Sequence, residues 1–364
     1  MSALSVDSLW PRAGDWPLPT EGTDAVLLGV PTWRTSLSPT GAGATPAAVR
    51  AALRRYSPTL MGPPPIDLAD VLRIADAGDV ADPDGRDGEA RVRAAVGALA
   101  GSRLVIALGG DNSATYAVAQ GRGSRGLITL DAHFDLRDGE SNGSPVRRLI
   151  ADGLDPRRIV QIGIADFANS AAYARRAADA GITVITLDEV RRRGIDDVVA
   201  HALHVAGKAD TPASDEAGAV AGKARPTGTG AHVADAPTHA ADASSPAAPT
   251  QAESSPHAAA GTNADSHPRA PEAATAPAAV GGVHLDIDVD VCDRAVAPGC
   301  PASVPGGLAA WELRGLVRAL ARDPGVTSAD IVEVDATADT DDGRTVRLAA
   351  LCVLELLAGM AERR

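Results

Sequence analysis

Cysteine is scarce in this chain. Cys292, Cys300 and Cys352 are too few and too unevenly spaced for a disulfide framework or a thiolate metal site, so they are read as reduced structural thiols, with a reactive role for Cys292 or Cys300 the lesser alternative. Long apolar runs are missing too. No stretch reaches the ~20 residues that a membrane span needs, and Met1 to Trp10 has neither the basic start nor the apolar core of a signal peptide. These absences point to a cytoplasmic protein with no membrane partner. Basic charge is also short: Lys and Arg number 34 against 47 Asp and Glu, a formal net charge of -13. Binding a phosphate backbone needs a basic surface that releases counterions, so no nucleic-acid partner is expected. No period of repeat length is visible.

The lysines mark a boundary. Both of them, Lys208 and Lys223, lie in residues 206–282, where Leu, Ile, Met and every aromatic are absent and Ala, Pro, Ser, Thr and Gly dominate. Such a composition cannot bury enough apolar surface to offset the entropy of ordering, and it predicts a disordered insertion. Its histidines, His232, His239, His257 and His267, are too far apart for a preformed site. Elsewhere, short β-branched runs alternate with Ala/Arg/Leu-rich segments of helical period, the pattern of a parallel sheet with crossover helices. Eight strands are predicted, at Ala25–Val30, Val71–Ala77, Arg103–Leu108, Gly126–Leu130, Arg158–Gly163, Ile182–Leu187, Val283–Asp288 and Ala329–Val334. Helices fit between them at Thr45–Tyr56, Glu89–Ala100, Phe167–Ala180, Ala309–Ala321 and Thr345–Met360. The expected organisation is a single α/β domain made of residues 1–205 and 283–364, and a hydrophobic content of 45% suffices for its core.

What is abundant is acid at strand ends. Asp131-Ala132-His133-Phe134-Asp135 and Asp286-Ile287-Asp288-Val289-Asp290 each close an apolar predicted strand, and alternation along extended backbone would turn the ionisable residues of each run to one side. Carboxylates so close together repel one another and lose hydration unless pairing or a multivalent cation offsets the cost. Either run alone would be read as helix N-caps and solvated loop acids; both together indicate a metal site. Oxygen donors with one imidazole favour a hard or borderline divalent ion such as manganese. Gly109-Gly110-Asp111-Asn112-Ser113 and Glu333 also fall towards carboxyl ends of predicted strands, the edge where open parallel sheets bind ligands. The glycine pair lacks the lysine of a P-loop and the spacing of a dinucleotide fingerprint, so a tight turn carrying Asp111 and Asn112 to that edge is the better reading.

Together these motifs resemble those of the ureohydrolases, the family of arginase, agmatinase and formimidoylglutamase. The family's Gly-Gly-Asp-His turn, Asp-Ala-His-x-Asp run, Asp-x-Asp strand end and late Glu are matched by Gly109 to Asn112, Asp131 to Asp135, Asp288-Val289-Asp290 and Glu333-Val334-Asp335. Leu28 to Pro31, Gly41 to Arg50, Ala297 to Gly299 and Pro305 to Leu308 match as well. The resemblance implies an arginase-like three-layer α/β/α fold with a central, mostly parallel eight-stranded sheet, and two manganese ions that activate water. By position, one ion would sit among Asn112, Asp131, Asp135 and Asp288 and the other among Asp131, His133, Asp288 and Asp290. Asp286 would stand outside the ligand set, and Glu333 would hold the cationic part of an amidine or guanidine. The resemblance also implies a homo-oligomer, a trimer or hexamer. Two positions depart from the pattern. Asn112 stands where the family has histidine, and a neutral amide oxygen is the weaker ligand, so the first ion is expected to be less fully bound. Asn142 stands where arginase-like members carry a histidine thought to shuttle protons, and it cannot titrate near neutrality.

Within the family, Asp131 to Arg137 and the loop Ser141-Asn142-Gly143-Ser144-Pro145 look most like formimidoylglutamases. Arg137, two residues beyond Asp135, offers a planar fork for a carboxylate; N-formimidoyl-L-glutamate carries two carboxylates and agmatine none. The expected activity is manganese-dependent hydrolysis of that amidine to L-glutamate and formamide, a step of histidine degradation. Asp131, Asp288 and Glu333 would be catalytic, and Arg137, Asn142 and Glu333 would bind substrate. Arg147, Arg148 and Arg344 are possible further grips, more simply surface charges, while Asp138 and Glu140 would instead suit a cation. Two alternatives stay open: a hydrolase of agmatine or another guanidino compound, and a catalytically silent member of the fold used for binding or assembly, which Asn112 and Asn142 would favour.

Overall fold

Parallel strands covered on both faces require nearly continuous aliphatic sequence, and the β-branched runs of this chain supply it. The computed structural model describes residues 7–208 and 281–363. Strands β1 (Ala25–Val30), β2 (Ile74–Asp79), β3 (Leu104–Gly109), β4 (Gly126–Leu130), β5 (Ile159–Ile164), β6 (Thr183–Thr186), β7 (Val283–Asp288) and β8 (Val326–Val332) form an eight-stranded sheet. Its order is β2-β1-β3-β8-β7-β4-β5-β6, and each neighbouring pair is parallel.

The expected strands are all present, and β1, β4 and β7 match residue for residue. The others shift for local reasons. β2 starts at Ile74 rather than Val71 because Asp67 caps a helical turn over Leu68–Val71, accepting from the Ala69 N–H at 2.9 Å. β6 stops at Thr186 because Thr186 and Glu189 form a capping box for the next helix. β8 ends at Val332, short of the expected Val334, because Glu333 turns left-handed with φ +59°. A two-residue hairpin, Thr59–Leu60 against Ile66–Asp67, lies outside the expectation.

Nine helices of seven residues or more accompany the sheet among the described residues: α1 (Thr45–Leu53), α2 (Gly85–Ala98), α3 (Ser113–Arg122), α4 (Pro145–Ala151), α5 (Ala171–Ala180), α6 (Leu187–Arg193), α7 (Ile195–Ala206), α8 (Ala310–Ala321) and α9 (Arg344–Ala361). Helices α1, α6, α7, α8 and α9 bury their apolar sides in one core, with Ile128, Leu130, Leu285, Ile287, Ala329 and Ile331 from the sheet. Helices α2 to α5 cover the other face. The result is three layers. That second face carries a polar row at its centre: Asp330, Asp286, Thr129 and Gln161 stand in register on β8, β7, β4 and β5, all fully buried. His284 adds to it, its ring nitrogens 2.9 Å from Ser328 Oγ and 3.0 Å from Asp330 Oδ2. No helix among the described residues is long and apolar enough to cross a membrane.

The two sequence halves meet at Gly126. A Cβ there would lie 2.2 Å from the Ala206 carbonyl oxygen, which leaves room only for glycine, and the Gly126 N–H donates to Gly282 O at 3.2 Å. The insertion expected at 206–282 therefore narrows: Ala206 is the fully buried last residue of α7, and Gly282 pairs with the start of β4. The stretch 209–280 lies outside the described residues. Closing a short loop between adjacent ends costs little entropy. Replacing 209–280 by about six Gly/Ser residues is accordingly expected to preserve the circular dichroism spectrum and shift the thermal midpoint by a few degrees at most. A chain that no longer folds would refute the single-domain reading.

Candidate metal centre

The acids converge by turns rather than by strand alternation. β4 stops at Leu130, and Asp131 to Asp135 continue as irregular loop in which Asp135 is left-handed, φ +51°. The projection expected from extended backbone therefore does not hold there. Hydrogen bonds shape the loop instead: the His133 N–H donates to Asp131 Oδ1 at 2.6 Å and the Ala132 N–H to Asp290 Oδ1 at 3.1 Å. Asn169, from the loop after β5, clamps the same segment. Its amide nitrogen donates to Ala132 O at 2.8 Å and its oxygen accepts from the Phe134 N–H at 3.2 Å. No motif surrounds Asn169, so sequence reasoning missed it. Asp288 ends β7 and accepts from the Asp290 N–H at 2.8 Å, starting the turn that brings Asp290 alongside.

Ligand-type atoms of Asp131, His133 and Asp290 lie within 4.8 Å of one another, and so do those of Asp131, Asp135 and Asp288. Asp131 belongs to both groups, and its Oδ2 is buried with no hydrogen-bond partner among the described residues. Burial, and then Asp290, pushes the Asp131 carboxyl up to about 7. Burial followed by Asp131 holds Asp135 well above its ordinary range, and burial followed by Asp290 does the same to Asp288. Burial would lower His133, but Asp290, whose Oδ2 lies 2.6 Å from Nδ1, and Asp131 raise it to about 11. Asp290 in turn stays low despite its burial because it faces that imidazolium. Crowded oxygens that resist ionisation, one of them orphaned, with one imidazole, fit the donor set of a divalent cation.

The turn that delivers Asn112 needs Gly110, where a Cβ would lie 1.9 Å from the Thr32 carbonyl oxygen. Asn112 reaches the cluster, but its amide nitrogen faces Asp135 Oδ2 at 2.5 Å while its oxygen accepts from Thr115 Oγ1 at 2.6 Å. It meets the cluster as a donor, and its oxygen would face an ion after the amide turned over. Glu333, buried just past β8, accepts on Oε1 from the Asn112 N–H and from Asn142 Nδ2, each at 2.8 Å. Burial and then Asp111 push Glu333 up to about 8 against these two donors. Asn142 also accepts from the Leu37 N–H at 3.0 Å. Both ends of its amide are engaged, so it straps Glu333 to the opposite wall. Asp286 belongs to neither ligand group and stands in the polar row beneath, both oxygens without a partner among the described residues.

Above the cluster opens a cavity of about 280 Å³ whose wall includes His133, Asp288, Asp290, Glu333, Asn142 and Arg137. Among the described residues the Arg137 guanidinium has no hydrogen-bond or ion-pair partner. The charged side chains around it are engaged with other groups. Arg147 donates to the carbonyls of Arg137, at 2.7 Å, and Gly139; Arg148 grips Glu89 at 2.7 and 2.8 Å; Arg344 reaches Ala295 O at 3.1 Å and Asp342. None of these three lines the cavity. Asp138 pairs with Arg176 at 3.0 Å and Glu140 with Arg86 at 2.8 Å. Cys292, Cys300 and Cys352 are free and buried, and burial pushes each thiol up, as structural thiols require.

A carboxyl whose folded pKa is raised holds extra protons in the folded state, so its stabilising contribution is present at low pH and lost as pH rises through the folded value. Asp131 and Glu333 set that window, from ordinary values of 3.8 and 4.5 to about 7 and about 8. The thermal midpoint of chelator-treated protein is expected to fall across it, and added divalent cation to raise the midpoint most at its upper end. A midpoint that climbs with pH over the same range would overturn this electrostatic account.

The sequence model of the Arginase family matches residues 23–213 and 262–359. A formimidoylglutamase of Halalkalibacterium halodurans is 30% identical over 347 residues, covering 92% of this chain and 86% of the relative, and one of Bacillus subtilis is 28% identical over 354 residues, covering 92% and 86%. The crystal structure of the Bacillus subtilis formimidoylglutamase superposes with a TM-score of 0.73 at 26% identity, covering 100% of this chain and 95% of that one. The chain belongs to the arginase family.

Proposed function

We propose that this enzyme hydrolyses N-formimidoyl-L-glutamate to L-glutamate and formamide, with two manganese ions held by Asp131, Asp135 and Asp288 on one side and by Asp131, His133 and Asp290 on the other, Asp288 serving both. Asn112 would complete the first set through its amide oxygen. A bound pair of divalent ions supplies hydroxide near neutral pH by lowering the pKa of water. Water adds to the amidine carbon, the bond from that carbon to the glutamate nitrogen breaks, the nitrogen takes the proton, and formamide leaves.

The protein's own part is orientation. Asn112 and Asn142 both hold Glu333 Oε1, so Oε2 is left for an amidinium N–H of the substrate. The observation that carries the substrate assignment is Arg137: a guanidinium without a partner among the described residues, in the wall of the cavity that the acidic cluster floors. An arginine fork there suits a carboxylate and would repel the second cationic group of agmatine. Asp138 and Glu140, which could have favoured a cation, are neutralised by Arg176 and Arg86.

Two experiments test this reading. Asp131→Ala removes the carboxylate common to both ligand groups, so manganese bound per chain is expected to drop below one and activity to vanish; unchanged stoichiometry would sink the binuclear assignment. Turnover of N-formimidoyl-L-glutamate should exceed that of agmatine and arginine. Arg137→Met should lower its kcat/KM by about 1.5 to 3 kcal/mol of transition-state stabilisation, and Arg137→Lys by less. Agmatine emerging as the best substrate would move the assignment to a guanidino hydrolase.

A further inference from the structure

Resting on that reading, we infer that Arg147 and Arg176 are positioning residues that preset the Arg137 fork for a substrate carboxylate. Arg137 sits in residues 136–144, a stretch without helix or strand. The backbone on both sides of it is nevertheless held. Arg176, on α5, donates to Leu136 O at 2.7 Å; Arg147, on α4, donates to Arg137 O at 2.7 Å and to Gly139 O. The Arg137 N–H closes the turn on Gly143 O at 2.9 Å. Gly143 lies against the side chain, since a Cβ there would come 2.7 Å from Arg137 Cδ.

These contacts have a common logic. Each guanidinium fixes backbone through a carbonyl, and hydrogen bonds from charged donors are about twice as strong as neutral ones. Arg176 also pairs with Asp138 at 3.0 Å, whereas Arg147 has no ion-pair partner among the described residues. Neither Arg147 nor Arg176 lines the cavity, so their effect on substrate is assigned to the Arg137 backbone they hold. Arg147, bonded to the Arg137 carbonyl, also adds positive potential near a place where a carboxylate would dock, while Arg176, paired with Asp138, acts through the backbone. A loop ordered in advance spares the substrate the entropy of ordering it, and the benefit is the same for the bound ground state and the transition state. The signature is therefore a change in KM with little change in kcat.

The test uses the manganese-loaded enzyme with N-formimidoyl-L-glutamate as substrate and L-glutamate as competitive inhibitor. Arg147→Gln and Arg176→Gln are each expected to raise KM and the glutamate inhibition constant together by roughly tenfold, the loss of one charged hydrogen bond, with kcat within about twofold. Arg147→Lys and Arg176→Lys, which keep the charge and one donor, should recover part of that loss and serve where a Gln variant does not fold. In an Arg137→Met background either Gln change should add almost nothing, because the group they position is gone. Equal losses in kcat and kcat/KM, an unchanged inhibition constant, or full additivity with Arg137→Met would overturn the inference. If Arg137→Met raises KM and the Gln variants do not, the positioning role falls and the substrate reading stands. If wild-type enzyme ignores N-formimidoyl-L-glutamate, or Arg137→Met leaves KM unchanged, the substrate reading falls as well.

Discussion

Holding four aspartates and one imidazole together out of bulk water is the constraint on which the rest of the molecule depends. Buried carboxylates in contact are unfavourable unless donors, protons or cations offset them. The fold answers with geometry. Asp131 and Asp288 stand at the carboxyl ends of adjacent strands, β4 and β7, while Asp135 and Asp290 are brought in by turns. Backbone N–H groups of Ala132, His133 and Asp290 point back at the carboxylates. Left-handed backbone at Asp135 and Glu333 costs of order 1 kcal/mol or more at each, and Asn169 and Asn142 clamp the segments or side chains concerned. The largest apolar core lies on one face of the sheet, and the other face, with apolar clusters to either side, carries the polar row at its centre.

Selectivity follows from pairing. Several charges near residues 136–144 are neutralised by a neighbour: Asp138 by Arg176, Glu140 by Arg86, Glu89 by Arg148. An ionic group left alone in such surroundings dominates the local field, because paired charges cancel at a distance and an unpaired one does not. Among the described residues Arg137 is such a group in the cavity wall. The site therefore offers negative charge at its floor and positive charge at its wall, the reverse image of a molecule with a cationic head and an anionic tail.

The number of strands and their places in the sequence were legible because buried parallel strands write themselves as aliphatic runs, and the site's acids were legible because they crowd at the ends of those runs. What could not be read was how the loops turn. Alternation suggested that Asp131, His133 and Asp135 share a face, whereas the left-handed Asp135 brings the group together by a different path. Asn142 was expected to bind substrate, and its two hydrogen-bond partners, Leu37 and Glu333, come from segments 105 and 191 positions away. Asn169 gave no signal at all, since a single amide that clamps a distant loop has no local pattern. Arg147 was visible as a charge, but that it grips backbone rather than ligand depends on where residues 136–144 fold.

The meeting of Ala206 and Gly282 at Gly126 has a consequence for how this protein can change over generations. Parallel strands give the sheet two unlike edges, and β4 and β7 both begin at the edge opposite the acidic cluster, about 20 Å away at ~3.3 Å per residue. Material joined between the two halves enters and leaves the domain through that remote edge. Length and composition can drift there without meeting the selection that fixes the chemistry, whereas a single inserted residue between Asp131 and Arg137 would displace the centre. The same edge is a natural place to attach a reporter or a second protein while the cavity stays open.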